Sequence, residues 1–187
     1  MFFFTLVLGI CILPKVDTLR CYECTSEASG DCTETIQECS SEDYRCAALR
    51  VVHYQNGVFA EMKTKECAPA EQCMEDSVST GTMKSMYVSK CCTEDLCNTK
   101  HISDFYVNPN GKKCFTCNGT ECTATINCMG IEDHCFTLTG KTPGEFMKGC
   151  CSKHLCSANS TSQIKNMIGS EMSCCQGDYC NSEAPLS

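Results

Sequence analysis

The chain has 187 residues, 22 of them cysteine and none tryptophan, with a formal net charge of -8. Cysteine at this density marks a disulfide scaffold built in an oxidising compartment, and the acidic balance excludes a binder of the nucleic-acid backbone. Aromatic side chains make up only 7% of the residues, so the apolar core is thin and cross-links must supply what burial does not.

In chain order the first element is the apolar run from Met1 to Leu13, too short to span a bilayer and placed where a signal peptide belongs. Residues 1–18 read as a signal peptide that is removed, taking Cys11 with it and leaving 21 cysteines, an odd number. Residues 182–187 form a polar tail. With no apolar stretch there, no membrane anchor is expected and the product reads as secreted and extracellular. Charge is unevenly divided: residues 19–97 carry 7 basic and 14 acidic side chains, net -7, whereas residues 98–187 carry 7 and 8, net -1. The acidic half serves solubility or attracts a basic partner.

An internal repeat organises the chain. Cys91-Cys92-Thr93-Glu94-Asp95-Leu96-Cys97-Asn98 returns as Cys174-Cys175-Gln176-Gly177-Asp178-Tyr179-Cys180-Asn181, and both read CCxxDxCN. Each copy closes a set of ten cysteines that opens with CxxC. The first set is Cys21, Cys24, Cys32, Cys39, Cys46, Cys67, Cys73, Cys91, Cys92 and Cys97. The second is Cys114, Cys117, Cys122, Cys128, Cys135, Cys150, Cys156, Cys174, Cys175 and Cys180, with Cys151 as a surplus. Adjacent cysteines lie about 3.8 Å apart at Cα, under the roughly 4.4 Å that a bridge usually needs, so each member of a doublet holds a different partner. The repeat divides the chain into a first module over 19–98, a linker over 99–112 and a second module over 113–181.

Within the first module Asn56-Gly57 is the turn of a hairpin whose strands run from Ala47 to Tyr54 and from Val58 to Lys65, which sets Tyr54 opposite Phe59. One face then carries Leu49, Val51, Val58, Ala60 and Met62; the other is mixed and meets solvent near the tip. Tyr54 and Phe59 read either as a sheet-stabilising pair or as binding anchors on a presented loop. The counterpart in the second module runs from Phe136 to Thr139, turns through residues 140–144, and returns from Glu145 to Lys148. A strand from Lys84 to Lys90 feeds the first doublet. In the linker, Phe105, Tyr106 and Val107 are either connector or an extra strand. The fold class expected is all-β.

The opening Leu19-Arg20-Cys21-Tyr22-Glu23-Cys24, the ordered cysteines and the CCxxDxCN closes resemble the LU domain, the three-finger module of lymphocyte antigens and the urokinase receptor. The resemblance covers nearly the whole mature chain and implies two tandem three-finger domains. It also implies the pairings Cys21 to Cys46, Cys24 to Cys32, Cys39 to Cys67, Cys73 to Cys91 and Cys92 to Cys97. In the second module it implies Cys114 to Cys135, Cys117 to Cys122, Cys128 to Cys150, Cys156 to Cys174 and Cys175 to Cys180. For Asp95, Asp178, Asn98 and Asn181 the resemblance implies structural roles at the base of each domain. Cys151 departs from the pattern. It reads as a local alternative pairing, as a buried thiol, or as a bridge that links two chains into a dimer.

Two LU domains in tandem resemble the gamma-type inhibitors of secreted phospholipase A2, which implies a secreted protein-binding module that masks such an enzyme. The alternative implied by the same architecture is a secreted signalling ligand or receptor modulator, pheromone-like, with no enzyme target. Asn118-Gly119-Thr120 and Asn159-Ser160-Thr161 are glycosylation sequons, the first crowded by the short loop between Cys117 and Cys122. Neither GxSxG nor HExxH occurs, and Gly140-Lys141-Thr142 fails as a phosphate loop because Cys135 stands where its first glycine belongs. The CxxC pairs, which in a cytosolic protein suggest zinc or redox work, read as bridges in a secreted one. No catalytic residue, metal or cofactor is expected.

Overall fold

The computed structural model describes residues 18–25, 32–103, 108–118, 121–139, 146–157, 160, 162, 164 and 172–182. The signal segment up to residue 17, the linker residues Phe105, Tyr106 and Val107, the second-module turn at 140–145 and the tail from 183 onward lie outside them.

The first module is built from β1 (Arg20–Thr25), β2 (Thr35–Glu38), β3 (Tyr44–Gln55), β4 (Val58–Pro69), β5 (Glu75–Ser79) and β6 (Met83–Cys92). The second comprises β7 (Pro109–Asn118), β8 (Glu121–Met129), β9 (His134–Thr139), β10 (Phe146–Cys151) and β11 (Met172–Cys175). Helical structure among the described segments is confined to short 3-10 turns at Ala70–Gln72 and Lys153–Cys156 and a helical position at Ile164. The all-β expectation holds.

The β3–β4 hairpin is the longest finger. Asn56 and Gly57 take φ of 50° and 87°, the left-handed pair that a two-residue turn of the mirror type demands, and that turn matches the twist of the strands it joins. Its register is the one the sequence specifies, with Tyr54 opposite Phe59 and Gln55 opposite Val58. The apolar face expected from Leu49 to Met62 is only half buried, however. Leu49 is in the core, but Val58, Ala60 and Met62 are exposed. Among the described residues the apolar cluster that buries Leu49 reaches only as far as the partly buried Val51, so the outer part of that face has no core to pack against.

Nine strands form one sheet in the order β11-β9-β10-β5-β6-β3-β4-β1-β2, while β7 and β8 pair separately. The two modules are therefore joined edge to edge. β5 of the first pairs with β10 of the second, Ser79 opposite Cys150 and Val78 opposite Cys151. A Cβ at Gly149 would lie 2.0 Å from the Ser79 carbonyl oxygen, so the strands can approach only because that residue is glycine. One apolar cluster spans the joint: Leu49, Val78 and Tyr87 pack with Phe136, Leu138, Cys151 and Leu155. Each small module thus completes its core against the other, which offsets the shortage of large apolar side chains.

Candidate protein-binding surface

Each module hangs its fingers from a stapled base. In the first, bridges join Cys21 to Cys46, Cys24 to Cys32, Cys39 to Cys67, Cys73 to Cys91 and Cys92 to Cys97. In the second they join Cys114 to Cys135, Cys117 to Cys122, Cys128 to Cys150, Cys156 to Cys174 and Cys175 to Cys180. The bridges pack against one another: Cys21 and Cys39 sulfurs lie 3.3 Å apart, and so do those of Cys114 and Cys128. Such contacts let sulfur fill the volume that aliphatic side chains fill elsewhere.

The asparagine after the last cysteine ties three segments together. Asn98 Nδ2 donates to the carbonyls of Tyr22 and Ala47, both at 2.9 Å, and its Oδ1 accepts from the Tyr22 N–H at 3.0 Å. Asn181 repeats the pattern with Phe115 and Phe136. Asp95 Oδ1 accepts from the Arg20 N–H and Asp178 Oδ1 from the Lys113 N–H, each at 3.0 Å. Between the aspartate and the last cysteine, Leu96 and Tyr179 both adopt positive φ, 57° and 59°, which turns the chain sharply enough for the asparagine to reach back.

A second repeated device, missed by sequence reasoning, is a buried lysine. Lys65 and Lys148 each stand two residues before a cysteine of β4 or β10 and have 1% and 4% exposure. Lys65 Nζ donates to the Thr99 carbonyl at 2.6 Å and pairs with Glu34. Lys148 Nζ donates to the carbonyls of Asn181 at 2.8 Å and Ser182 at 3.1 Å, and burial holds its ammonium below the usual lysine range. The KxC spacing at Lys65-Glu66-Cys67 and Lys148-Gly149-Cys150 was the available signal.

Polar contacts also lock the joint. Glu132, fully buried, accepts from the hydroxyls of Ser77 at 2.6 Å and Ser79 at 2.7 Å and from the Met129 N–H at 2.9 Å. Asp76, equally buried, accepts from Ser152 Oγ at 2.9 Å and stands 3.1 Å from His154 Nδ1. Buried carboxylates require such saturation. Cys151 lies in the apolar part of the same joint, 0% exposed and unpaired, its sulfur 3.5 Å from that of Cys156. Burial pushes its thiol far above the ordinary range, with Glu132 adding to the effect. In this fold the Cys151 sulfur does not reach the surface, which fits the buried-thiol reading rather than a bridge to a second chain.

The tip of the β3–β4 finger presents exposed apolar side chains on both faces: Val58 is 70% exposed, Phe59 59% and Tyr54 44%. Nearer the base the same finger is polar, with Arg50 Nε on Glu61 Oε1 at 2.5 Å and Arg50 Nη1 on the Ser103 carbonyl at 3.0 Å. The Tyr54–Phe59 pair is thus set side by side by the β3–β4 register and offered to solvent. Asn159 lies outside the described residues, as does the side chain of Asn118, whose backbone ends β7. No helix among the described residues is long and apolar enough to cross a membrane.

The u-PAR/Ly-6 domain family model matches residues 17–100, and the snake toxin and toxin-like protein model matches residues 113–181. Among similar proteins, the phospholipase A2 inhibitor 25 kDa subunit of Naja kaouthia is 28% identical over 153 residues, covering 74% of this chain and 82% of the inhibitor. Phospholipase A2 inhibitor NAI of Notechis ater is 28% identical over 141 residues, 67% of this chain and 70% of its own. Lymphocyte antigen 6D of Mus musculus is 34% identical over 99 residues, 52% of this chain and 71% of the antigen.

Proposed function

Because the chain belongs to the u-PAR/Ly-6 family, whose three-finger domain it carries in tandem, we propose that it is a secreted protein-binding module that blocks a secreted phospholipase A2 by steric masking. The observation that carries the reading is the finger tip, where Tyr54, Val58 and Phe59 stand exposed on a hairpin whose β3 strand is paired with β6 out to the tip. Exposed aromatics on a preorganised element bind with little ordering cost, and such anchors dominate interface energies. The similarity to phospholipase A2 inhibitors over most of both chains supplies the class of target. Masking needs no reactive group. It needs a broad surface, and the continuous sheet across the joint provides one. The net charge of -7 over residues 19–97 assists encounter with a basic enzyme.

The test is a pull-down from extracellular fluid with the oxidised protein, followed by a phospholipase assay. Masking expects capture of a phospholipase and a stoichiometric fall in its activity, with the Tyr54→Ala, Phe59→Ala double variant weakening binding at least about 30-fold. Capture of a cell-surface receptor with lipid hydrolysis untouched would replace masking with a signalling role.

A further inference from the structure

The tip of the β3–β4 finger and the turn between β5 and β6 face β8 of the second module across an open groove of about 170 Å³. Tyr54 and Lys84 are register partners in the β3–β6 ladder, so their side chains share one face of the sheet, and Phe59 continues that face outward from Tyr54. Ile126 and Met129, both part-buried, supply the opposite wall.

Lys84 is the unusual member. It is part-buried, and among the described residues its ammonium makes no hydrogen bond or ion pair. Burial pushes it below the usual lysine range; the neighbouring Glu132 carboxylate pulls in the other direction. Yet the oxygens of Glu132 are already engaged by Ser77, Ser79 and the Met129 N–H. In a groove walled by Tyr54, Met83, Ile126 and Met129 alongside the polar Thr80, Thr82 and Asn127, a part-buried cation with no hydrogen-bonded anion gains more from one than it would in open water.

Size decides what kind of anion. Small-molecule sites usually enclose about 300 to 1,000 Å³, so a groove of this volume suits one side chain. The geometry points to a docking site for a glutamate or aspartate of the partner protein flanked by apolar residues, its carboxylate on Lys84 and its neighbours against Tyr54, Met83, Ile126 and Met129. The identity of the occupant as a protein rests on the protein-binding reading above. Attraction of a basic partner by the acidic module and local capture of one acidic side chain are compatible, since the first acts at long range on the rate of encounter and the second fixes register.

The experiment uses two short peptides, acetyl-Leu-Glu-Leu-amide and its glutamine counterpart, titrated into the oxidised full chain with methyl-labelled isoleucine and methionine. The glutamate peptide is expected to move the Ile126 and Met129 methyl signals and the Lys84 ε-signal saturably, binding at least fivefold more tightly than the glutamine peptide. Lys84→Met should erase that difference and Lys84→Arg should keep it. Equal shifts from both peptides, or none up to roughly 20 mM, would overturn the assignment. Phospholipase capture undiminished in Lys84→Met would also sink the groove while leaving masking intact. Selective peptide binding without any phospholipase capture would do the reverse.

Discussion

Glu132 of the second module accepts a hydrogen bond from the Ser77 hydroxyl of the first at 2.6 Å, and both side chains are buried. Replacing Glu132 by alanine leaves two serine hydroxyls and the Met129 N–H without their acceptor. The expected cost is about 3 kcal/mol or more, because each unsatisfied buried group loses its solvation. Urea unfolding followed by module-specific amide signals should show one transition in the parent and two in Glu132→Ala. A single transition at the parent midpoint would contradict the view that this carboxylate couples the modules.

Asn98 and Asn181 offer a paired comparison. Each makes three hydrogen bonds to backbone groups of its own module, so Asn98→Ala and Asn181→Ala should each destabilise by about 2 to 4 kcal/mol. Hydrogen exchange should locate the loss: Asn98→Ala loosens β1 and β3, whereas Asn181→Ala loosens β7 and β9. Equal loosening of both modules by either variant would argue against the local role.

Cys151 should behave as an inert small hydrophobe. Iodoacetamide should leave it unmodified in the folded protein at neutral pH and label it once urea is added, read by mass on the peptide that contains it. The sign of the pH effect follows from its raised thiol pKa. Below about 8.5, where an unfolded thiol is protonated, its contribution is fully present; as pH rises further the unfolded state loses the proton first, and stability falls. Cys151→Ala should remove that component of the alkaline decline.

Asp95 titrates in the opposite sense. The Arg20 N–H and guanidinium hold its carboxyl below the usual aspartate range. Its contribution is therefore present above about pH 4, the ordinary aspartate value, and is lost as pH falls through the depressed folded value. Asp95→Asn keeps an oxygen for the N–H but removes the charge, so the acid limb of the stability curve should flatten. A carboxyl titration by NMR that finds Asp95 at its ordinary value would refute the assignment.

The cysteine repeat, the all-β class and the register of the longest finger were legible in the sequence because each rests on local chemistry. Asn56-Gly57 alone fixes which residues of β3 and β4 stand opposite one another, since few other pairs accept two positive φ values. The strand from Lys84 to Lys90 was likewise visible and lies within β6. β5 was not. Glu75-Asp76-Ser77-Val78-Ser79 has little apolar content, yet four of its five residues are buried, because Asp76, Ser77 and Ser79 are satisfied by Ser152, His154 and Glu132, which lie more than fifty residues away. The sequence by itself thus determined the two modules and the finger that each presents. Only the tertiary structure decided that their sheets merge, that Cys151 is sealed in the joint, and that Val58, Ala60 and Met62 face solvent. Those outcomes depend on which edges meet, and edges are matched by partners distant in sequence rather than by neighbours along the chain.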